Sequence, residues 1–184
     1  SLFECQHLQE KNTLLVRGAS CALGYVAIQI AKAAGCKVIG TTHRKEKLYL
    51  LEEAGCDECL LDEGKISDLV KGATKALDLI GPRNLKDTLL SVEKGGIVCQ
   101  TGLLGGVYVL NGFDPIKDIP NGVYLTGFFS NYPDQKTIDE IMAFISDHHL
   151  TPCLGAQYPF TKIREALMAM DHHQVNGKIV VTVD

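Results

Sequence analysis

Residues 13–24, TLLVRGASCALG, decide the fold of this chain. Residues 13–17 are a short run of apolar and β-forming side chains, which predicts a buried strand. Small residues follow directly from Gly18 to Gly24, and apolar positions at helical spacing then run to Gly35, a typical helix stop. A strand, a tight turn and a helix over residues 23–34 predict the first half of a βαβ unit.

The same alternation continues from this unit to residue 150. It predicts five further strands, at residues 37–41, 59–62, 76–80, 97–101 and 123–128. It also predicts helices at residues 46–54, 66–72, 85–92 and 135–148. Residues 102–122 are rich in glycine and proline, so we expect a loop over the carboxyl ends of the strands, where ligands bind. The predicted fold is therefore α/β, a doubly wound, mostly parallel six-stranded Rossmann sheet with helices on both faces.

The pattern changes beyond Leu150. A short strand at residues 157–160, a helix at residues 161–170 and a strand at residues 178–183 predict a C-terminal β-α-β appendage. We therefore expect a Rossmann domain over residues 1–150 and a separate segment over residues 151–184.

Composition and charge limit the partners of the chain. Its 184 residues are 46% hydrophobic and 22% charged, with a formal net charge of −4, and this acidic balance argues against a nucleic-acid partner. No run reaches the roughly 18 apolar residues that a bilayer span needs. Seven scattered cysteines fit reduced thiols better than a disulfide framework. We expect a cytoplasmic protein that binds small molecules, and neither nucleic acid nor a membrane.

The small-residue turn from Gly18 to Gly24 is a candidate phosphate loop. Backbone N–H groups and the positive end of the helix dipole hold a pyrophosphate at this place in a βαβ unit. Cys21 and Ala22 stand where a complete G-x-G-x-x-G fingerprint has very small residues, so the loop is poor in glycine. The alternative is a tight strand-to-helix turn without a ligand.

The end of the second strand indicates which dinucleotide binds. An acidic residue about 20 positions after the phosphate loop usually binds the ribose 2′-hydroxyl of NAD. Here the segment after Thr41 reads Thr42-His43-Arg44-Lys45-Glu46-Lys47, with no acid at the strand end. Hydroxyl groups, a bidentate arginine and a lysine instead suit a 2′-phosphate, which predicts NADP(H). The alternative is an ordinary solvated helix start.

Several stretches together resemble one family, the medium-chain dehydrogenases and reductases of the zinc-type alcohol dehydrogenase and quinone oxidoreductase kind. They are residues 13–24, residues 27–58, LDLIG at residues 77–81, GGIVCQTGLLGG at residues 95–106 and residues 156–181. The resemblance implies a reductase that moves hydride between NADPH and a quinone, enone or carbonyl compound. It also implies a homodimer joined through residues 123–128.

The same resemblance implies a partner domain outside these residues. Family members begin with a catalytic β-barrel domain, which carries the substrate pocket and any zinc ligands. We therefore expect no catalytic or metal-ligating residue in this chain, no activity of these residues alone, and a return of residues 151–184 to that domain. The resemblance thus leaves zinc dependence and the choice of substrate to that domain.

The resemblance assigns a role to each candidate cofactor residue. Within the loop bounded by Gly18 and Gly24, the pyrophosphate contacts are Ser20, Cys21, Ala22 and Leu23. The groups around the 2′-phosphate are Thr42, His43, Arg44 and Lys47. Gly81 is expected near the ribose, and the residues expected near the nicotinamide are Thr101, Gly102, Leu103 and Phe128.

Two other functional readings stay open. The chain could be a non-catalytic dinucleotide-binding sensor. It could also be a short-chain dehydrogenase, because Tyr132 and Lys136 have that family's Tyr-x-x-x-Lys spacing. Pro133 between them favours a helix start, and the two side chains must share a helix face for proton transfer.

Pairs of cysteines and of histidines are candidate metal or redox sites. Cys56 and Cys59 have CxxC spacing but no second pair, so we expect core packing. The adjacent histidines at residues 148–149 and 172–173 point in different directions on a helix, and we expect solvated side chains.

Overall fold

The computed structural model describes residues 1–130, 132–172 and 174–183. Its main sheet has six strands, all parallel, in the order β3-β2-β1-β4-β5-β6. The strands are β1 (Thr13–Arg17), β2 (Lys37–Thr42), β3 (Glu58–Leu61), β4 (Ala73–Asp78), β5 (Val92–Gln100) and β6 (Tyr124–Gly127). The predicted doubly wound Rossmann fold is confirmed.

Helices cover both faces of this sheet. Helices α1 (Ala22–Ala33) and α2 (Leu48–Glu53) pack on one face, and α3 (Leu85–Leu90) packs on the other. Two further helices, α4 (Pro115–Asp118) and α5 (Gln135–Asp147), have no buried residue. Single 3-10 turns stand at Lys45–Lys47 and Ile66–Asp68. Gly35 follows the C-cap of α1 with φ of +78°, as expected for a glycine that stops a helix.

The hydrophobic core lies in two layers, one on each face of the sheet. On β1, Leu14 and Val16 pack toward Ile28 of α1, whereas Leu15 faces Leu89 of α3 on the opposite side, and all five side chains are fully buried. Successive side chains of a strand point to opposite faces, so a continuous apolar run is what a strand covered on both sides requires.

Two predictions for the loops and helices are wrong in detail. Residues 66–72 form only the 3-10 turn Ile66–Asp68, because Gly72 has φ of +73° and β4 begins at the next residue. Ile66 and Val70 are buried under the sheet, so their helical spacing reflects burial rather than a helix. The segment 102–122 is not entirely a loop, since α4 begins there after Asp114, whose side chain caps it.

The C-terminal residues form a second, small sheet. Strand β7 (Leu154–Pro159) pairs in parallel with β8 (Lys178–Thr182), and a 3-10 turn at Phe160–Lys162 leads into α6 (Ile163–Asp171) between them. The side chain of Gln29 on α1 anchors the segment, since it exchanges hydrogen bonds of 2.8 and 3.0 Å with the backbone of Thr151. Within the described ranges, no helix has the length and apolar character that a membrane crossing requires.

Candidate functional site

A cleft of about 580 Å³ opens at the carboxyl ends of the central strands. The chain leaves β1 and β4 in opposite directions, and ligands of such sheets bind in the crevice at this switch point. The lining residues are Gly18, Ser20, Cys21, Thr41, Thr42, His43, Arg44, Lys47, Asp62, Glu63, Gly64, Ile80, Arg83, Asn84, Leu104, Gly105 and Val175.

The phosphate loop forms one wall of the cleft. Gly18 adopts φ of +83°, a left-handed conformation that side-chain-bearing residues rarely adopt, and Ala19 N donates to Thr41 O at 2.8 Å. Cys21 is the N-cap of α1, and its Sγ accepts a hydrogen bond from Gly24 N at 3.3 Å. The positive end of the twelve-residue helix α1 is therefore directed at the cleft.

Gly24 fixes the closeness of that helix to the sheet. A Cβ at this position would lie 2.5 Å from Ala19 O and 2.6 Å from Ala19 Cα. Only glycine allows this approach of helix and loop backbones, which is the role of the third glycine in a dinucleotide fingerprint. The glycine-poor loop thus keeps the glycines that its geometry needs.

The end of β2 supplies the cationic part of the cleft. Ser20 Oγ and Thr42 Oγ1 share a hydrogen bond of 2.8 Å, and Thr42 Oγ1 also accepts from Arg44 N at 3.2 Å. Arg44 and Lys47 form no ion pair with any carboxylate of the described residues. Burial, and then the charge of Arg44, lower the pKa of the Lys47 ammonium. Both cations are thus available to an anion.

Two carboxylates, Asp62 and Glu63, also line the cleft. Asp62 is engaged by the fully buried Arg17, whose Nε donates to Asp62 Oδ2 at 2.8 Å and whose Nη2 donates to Asp62 Oδ1 at 3.1 Å. Gly64 N donates to Asp62 Oδ1 at 2.8 Å as well. Glu63 is exposed. The inner acid of the cleft is therefore ion-paired and hydrogen-bonded.

Arg17 also ties the floor of the cleft to α3. Its Nη1 lies 2.8 Å from Asp87 Oδ2 and donates to Thr88 Oγ1 at 3.0 Å. Thr88 Oγ1 in turn donates to Asp78 Oδ2 at 2.5 Å, at the end of β4. Burial raises the pKa of the Asp78 carboxyl, against the hydrogen bonds that it accepts. A buried polar network thus joins the ends of β1, β3 and β4.

A second group of predicted residues meets at the ends of β4 and β5. Asp78 Oδ1 accepts hydrogen bonds from Ile80 N and Gly81 N at 2.9 and 2.8 Å. Gly81 has φ of +100°, and a Cβ there would lie 2.9 Å from Gly102 O and 3.3 Å from Leu103 Cα. The loops after these two strands therefore pack backbone to backbone.

The predicted residues divide into two sets. Those that line the cleft are Gly18, Ser20, Cys21, Thr42, His43, Arg44 and Lys47. Those that do not are Ala22, Leu23, Gly24, Gly81, Thr101, Gly102, Leu103 and Phe128. In the second set, Gly24 is buried under the loop, Leu23 is 55% exposed, and Phe128 packs half-buried against the core.

The lining residues that sequence reasoning missed come mainly from the loops that follow β3, β4 and β5, and one comes from the C-terminal segment. Asp62 and Asn84 belong to the polar network, and Val175 reaches the cleft from the loop before β8. One signal was present for the network: Arg17, a charged residue at the end of an apolar strand, must be paired if it is buried. No local signal marks Val175.

The cysteine and histidine pairs have ordinary surroundings. Cys56 and Cys59 are free thiols that pack partly buried against the core, where burial raises the pKa of each. His148 caps the end of α5 and His172 that of α6, while His173 lies outside the described residues. Across the described part of the chain, no group of three or more metal-ligating side chains comes together.

Tyr132 and Lys136 do not share a helix face. Helix α5 begins at Gln135 after the cap Asp134, whose Oδ1 accepts from Thr137 N at 2.8 Å, so Tyr132 precedes the helix. The short-chain dehydrogenase reading therefore loses its catalytic pair.

Comparison with known proteins places the chain. A family model described as zinc-binding dehydrogenase matches residues 22–147, which contain α1 and the strands β2 to β6. The chain belongs to the zinc-binding dehydrogenase family. The resemblance found in the sequence is confirmed, and the short-chain dehydrogenase alternative is wrong.

Members of this wider group are similar along nearly the whole chain. The quinone oxidoreductase of Pongo abelii is 27% identical over 190 residues, covering 98% of this chain and 57% of that protein. The acryloyl-coenzyme A reductase of Sulfurisphaera tokodaii is 25% identical over 180 residues, covering 95% of this chain and 52% of that protein. The chain spans about half the length of the curated relatives that it matches.

Solved structures share the fold. The quinone oxidoreductase from Thermus thermophilus, described together with its NADPH complex, has a TM-score of 0.80. The match is 22% identical in sequence and covers 97% of this chain and 60% of that one. At this identity the likeness establishes the fold alone.

Proposed function

We propose that the chain is the NADP(H)-binding part of an oxidoreductase that transfers hydride to a small quinone, enone or carbonyl substrate. The observation that carries the proposal is the cationic end of β2, where Arg44 and Lys47 line the cleft with no ion-pair partner among the described carboxylates. A guanidinium binds two phosphate oxygens at once, and an ammonium adds a point charge.

The donor set of the cleft fits a dinucleotide. Ser20 and Cys21 stand at the N-terminus of α1, where backbone N–H groups and the helix dipole favour the pyrophosphate. Thr42, Arg44 and Lys47 follow at the adenosine end, and the 2′-phosphate of NADP(H) is the group that uses them. His43 is exposed beside Arg44, which donates from Nε to His43 Nε2 at 3.4 Å.

We propose that the nicotinamide end of the cofactor lies at the loops after β4 and β5. Gly81 is proposed near the ribose, and Thr101, Gly102, Leu103 and Phe128 near the nicotinamide. The close packing of Gly81 against Gly102 supports a shared wall there, and Leu104 of the same loop lines the cleft. When bound, the cofactor supplies the hydride, and these residues would orient its ring and exclude water.

We further propose that residues 1–150 form the cofactor domain and that residues 151–184 pack against a further domain. The apolar side chains Leu167, Met168 and Met170 of α6 are about half exposed, which supports an absent packing partner. We also propose a homodimer that forms through the edge strand β6, because an open strand edge is a template for pairing. The seven free thiols support a cytoplasmic protein.

Titration of the protein with NADPH and NADH by isothermal calorimetry tests the cofactor proposal. We expect NADPH to bind at least about tenfold more tightly, because a charge-assisted hydrogen bond is worth roughly 1.5–3 kcal/mol. Arg44→Gln and Lys47→Gln should each lower the affinity for NADPH and leave the affinity for NADH unchanged. The matched control is Lys45→Gln, in the same turn but outside the cleft lining. Equal affinity for both dinucleotides would contradict the proposal.

A further inference from the structure

The carboxylate of Asp62 is in an unexpected place for a cleft that takes a 2′-phosphate. It lines the same cleft as Arg44 and Lys47. Asp62 directly follows β3, and its backbone N donates to Thr42 O at 2.8 Å. The Thr42 hydroxyl, in the same residue, is hydrogen-bonded to Ser20 Oγ and Arg44 N. In NAD-binding domains the acid that binds the ribose 2′-hydroxyl follows the second strand, and Asp62 brings a carboxylate to the same cleft from the end of the neighbouring strand β3. A free carboxylate there would repel a 2′-phosphate.

Arg17 removes this acid from competition. Both oxygens of Asp62 accept from the Arg17 guanidinium, at 2.8 and 3.1 Å, and the side chain of Asp62 is only 6% exposed. Gly64 N donates to Oδ1 at 2.8 Å and holds the carboxylate on the side of Arg17. Three N–H donors therefore occupy most of the acceptor positions that could meet a ribose hydroxyl.

The guanidinium is itself fixed in place. Arg17 is fully buried, and its Nη1 is held by Asp87 at 2.8 Å and by Thr88 Oγ1 at 3.0 Å. Ser67 Oγ in turn donates a hydrogen bond to Asp87 Oδ1 at 2.6 Å. Arg17 cannot turn toward the cleft to bind phosphate directly, so its effect on a ligand must pass through Asp62.

We propose that Arg17 is a positioning residue for cofactor choice: it masks the Asp62 carboxylate and so lets the cleft accept a 2′-phosphate. This inference rests on the proposed dinucleotide function and deepens it. The preference for NADP(H) then has two parts, the cations that attract the phosphate and the buried arginine that cancels the nearby acid. Without Arg17, Asp62 carries an uncompensated negative charge at the same cleft.

The test is a double-mutant cycle on Arg17 and Asp62, read as the ratio of the NADH and NADPH dissociation constants. Arg17→Gln should lower the preference for NADPH by at least about tenfold, the effect of a like charge a few ångströms from an anion. Adding Asp62→Asn to that variant should restore most of the preference, because the unmasked charge is then gone. An equal loss of affinity for both cofactors in Arg17→Gln, not reversed by Asp62→Asn, would show a purely structural role of Arg17 and overturn the proposal.

Asp62→Asn alone keeps the proposal testable if Arg17→Gln does not fold, which circular dichroism would reveal. Since the carboxylate is already ion-paired with Arg17, this variant should leave the cofactor ratio within about threefold of the parent. A tenfold or greater gain in NADPH preference would mean that Asp62 was not masked. Titration with 2′,5′-ADP and 5′-AMP should show the same ratios. A parent protein that binds neither NADPH nor NADH would defeat the proposed function itself.

Discussion

Helices α1 and α5 are of similar length, yet they lie in opposite environments. Helix α1 buries Gly24, Ala27, Ile28 and Ala31 against the sheet, whereas no residue of α5 is buried. Ile138, Ile141 and Met142 of α5 form an exposed apolar stripe. The sequence pattern of both is amphipathic, so an apolar stripe establishes a helix but does not establish what covers it.

Charged groups divide in the same way. Arg17 and Asp62 pair in the interior beneath the cleft, with 0% and 6% of their side chains exposed. Lys162 and Glu165 pair at the start of α6 with 56% and 62% exposed, at a distance of 3.8 Å. The ion pair at the carboxyl ends of the strands is therefore buried, whereas the ion pair of the C-terminal segment is on the surface.

Replacing Arg17 should give the largest effect of this contrast. Arg17→Met leaves Asp62 and Asp87 without their buried partner, and breaking such a pair costs about 3–5 kcal/mol of the free energy of unfolding. Lys162→Met is the matched change in the tail, and its exposed pair is worth at most about 1 kcal/mol. Urea denaturation of both variants measures the difference. Comparable losses would remove the distinction between interior and surface charge.

An isoleucine in each helix compares the apolar environments. Ile28→Ala in α1 should cost about 2–5 kcal/mol, because the side chain is fully buried and a cavity remains. Ile141→Ala in α5 should change stability by less than about 1 kcal/mol, since its side chain is 50% exposed. Thermal melting monitored by circular dichroism reads both. A large loss at Ile141 would reveal a covering partner, such as a second copy of the chain.

Gly24 tests the backbone contact under the phosphate loop. Gly24→Ala places a methyl group 2.5 Å from Ala19 O, and such overpacking costs about 1–3 kcal/mol. NADPH affinity should fall as well, because the loop must shift. Gly127→Ala on β6 is the control, since no atom lies within 4 Å of its added Cβ, and it should melt at the parental temperature. If Gly24→Ala also melts there, the helix and loop are not in tight contact.

The smallest expected effect concerns the cap of α1. Cys21→Ser should stabilise the protein by about 0.5–1 kcal/mol, because a hydroxyl is a better acceptor for Gly24 N than the present sulfur. Cys153→Ser in the tail caps no helix and should give no such gain. The denaturation midpoints of the two variants, compared with that of the parent protein, test this prediction. A loss of stability in Cys21→Ser would mean that the packing of the sulfur stabilises the protein more than a better cap does.

Local patterns predicted the sheet well because each strand carries its own signal. The bounds of β1 came out as Thr13–Arg17, and Gly35 ended α1, since both depend on neighbouring residues only. The predicted helix at residues 66–72 failed because the spacing of Ile66 and Val70 reflects burial under the sheet. A periodic pattern records which positions are covered, and two different backbones can satisfy it.

The cleft was predicted only where one segment supplies it. Ser20, Cys21 and the residues after β2 follow from motif position, whereas the pairing of Arg17 with Asp62 joins residues 45 positions apart. That contact depends on the strand order β3-β2-β1, which brings the end of β3 to within two strands of β1. Spacing along the chain contains no record of it.

Val175 gives the cleft a wall that belongs to the C-terminal segment. A ligand that fills the cleft therefore touches both parts of the chain, and by mass action its binding energy also holds the segment in place. Limited proteolysis near β8 should slow when NADPH is present. The tail then acts as a reporter of occupancy, because Val175 places it in contact with whatever fills the cleft.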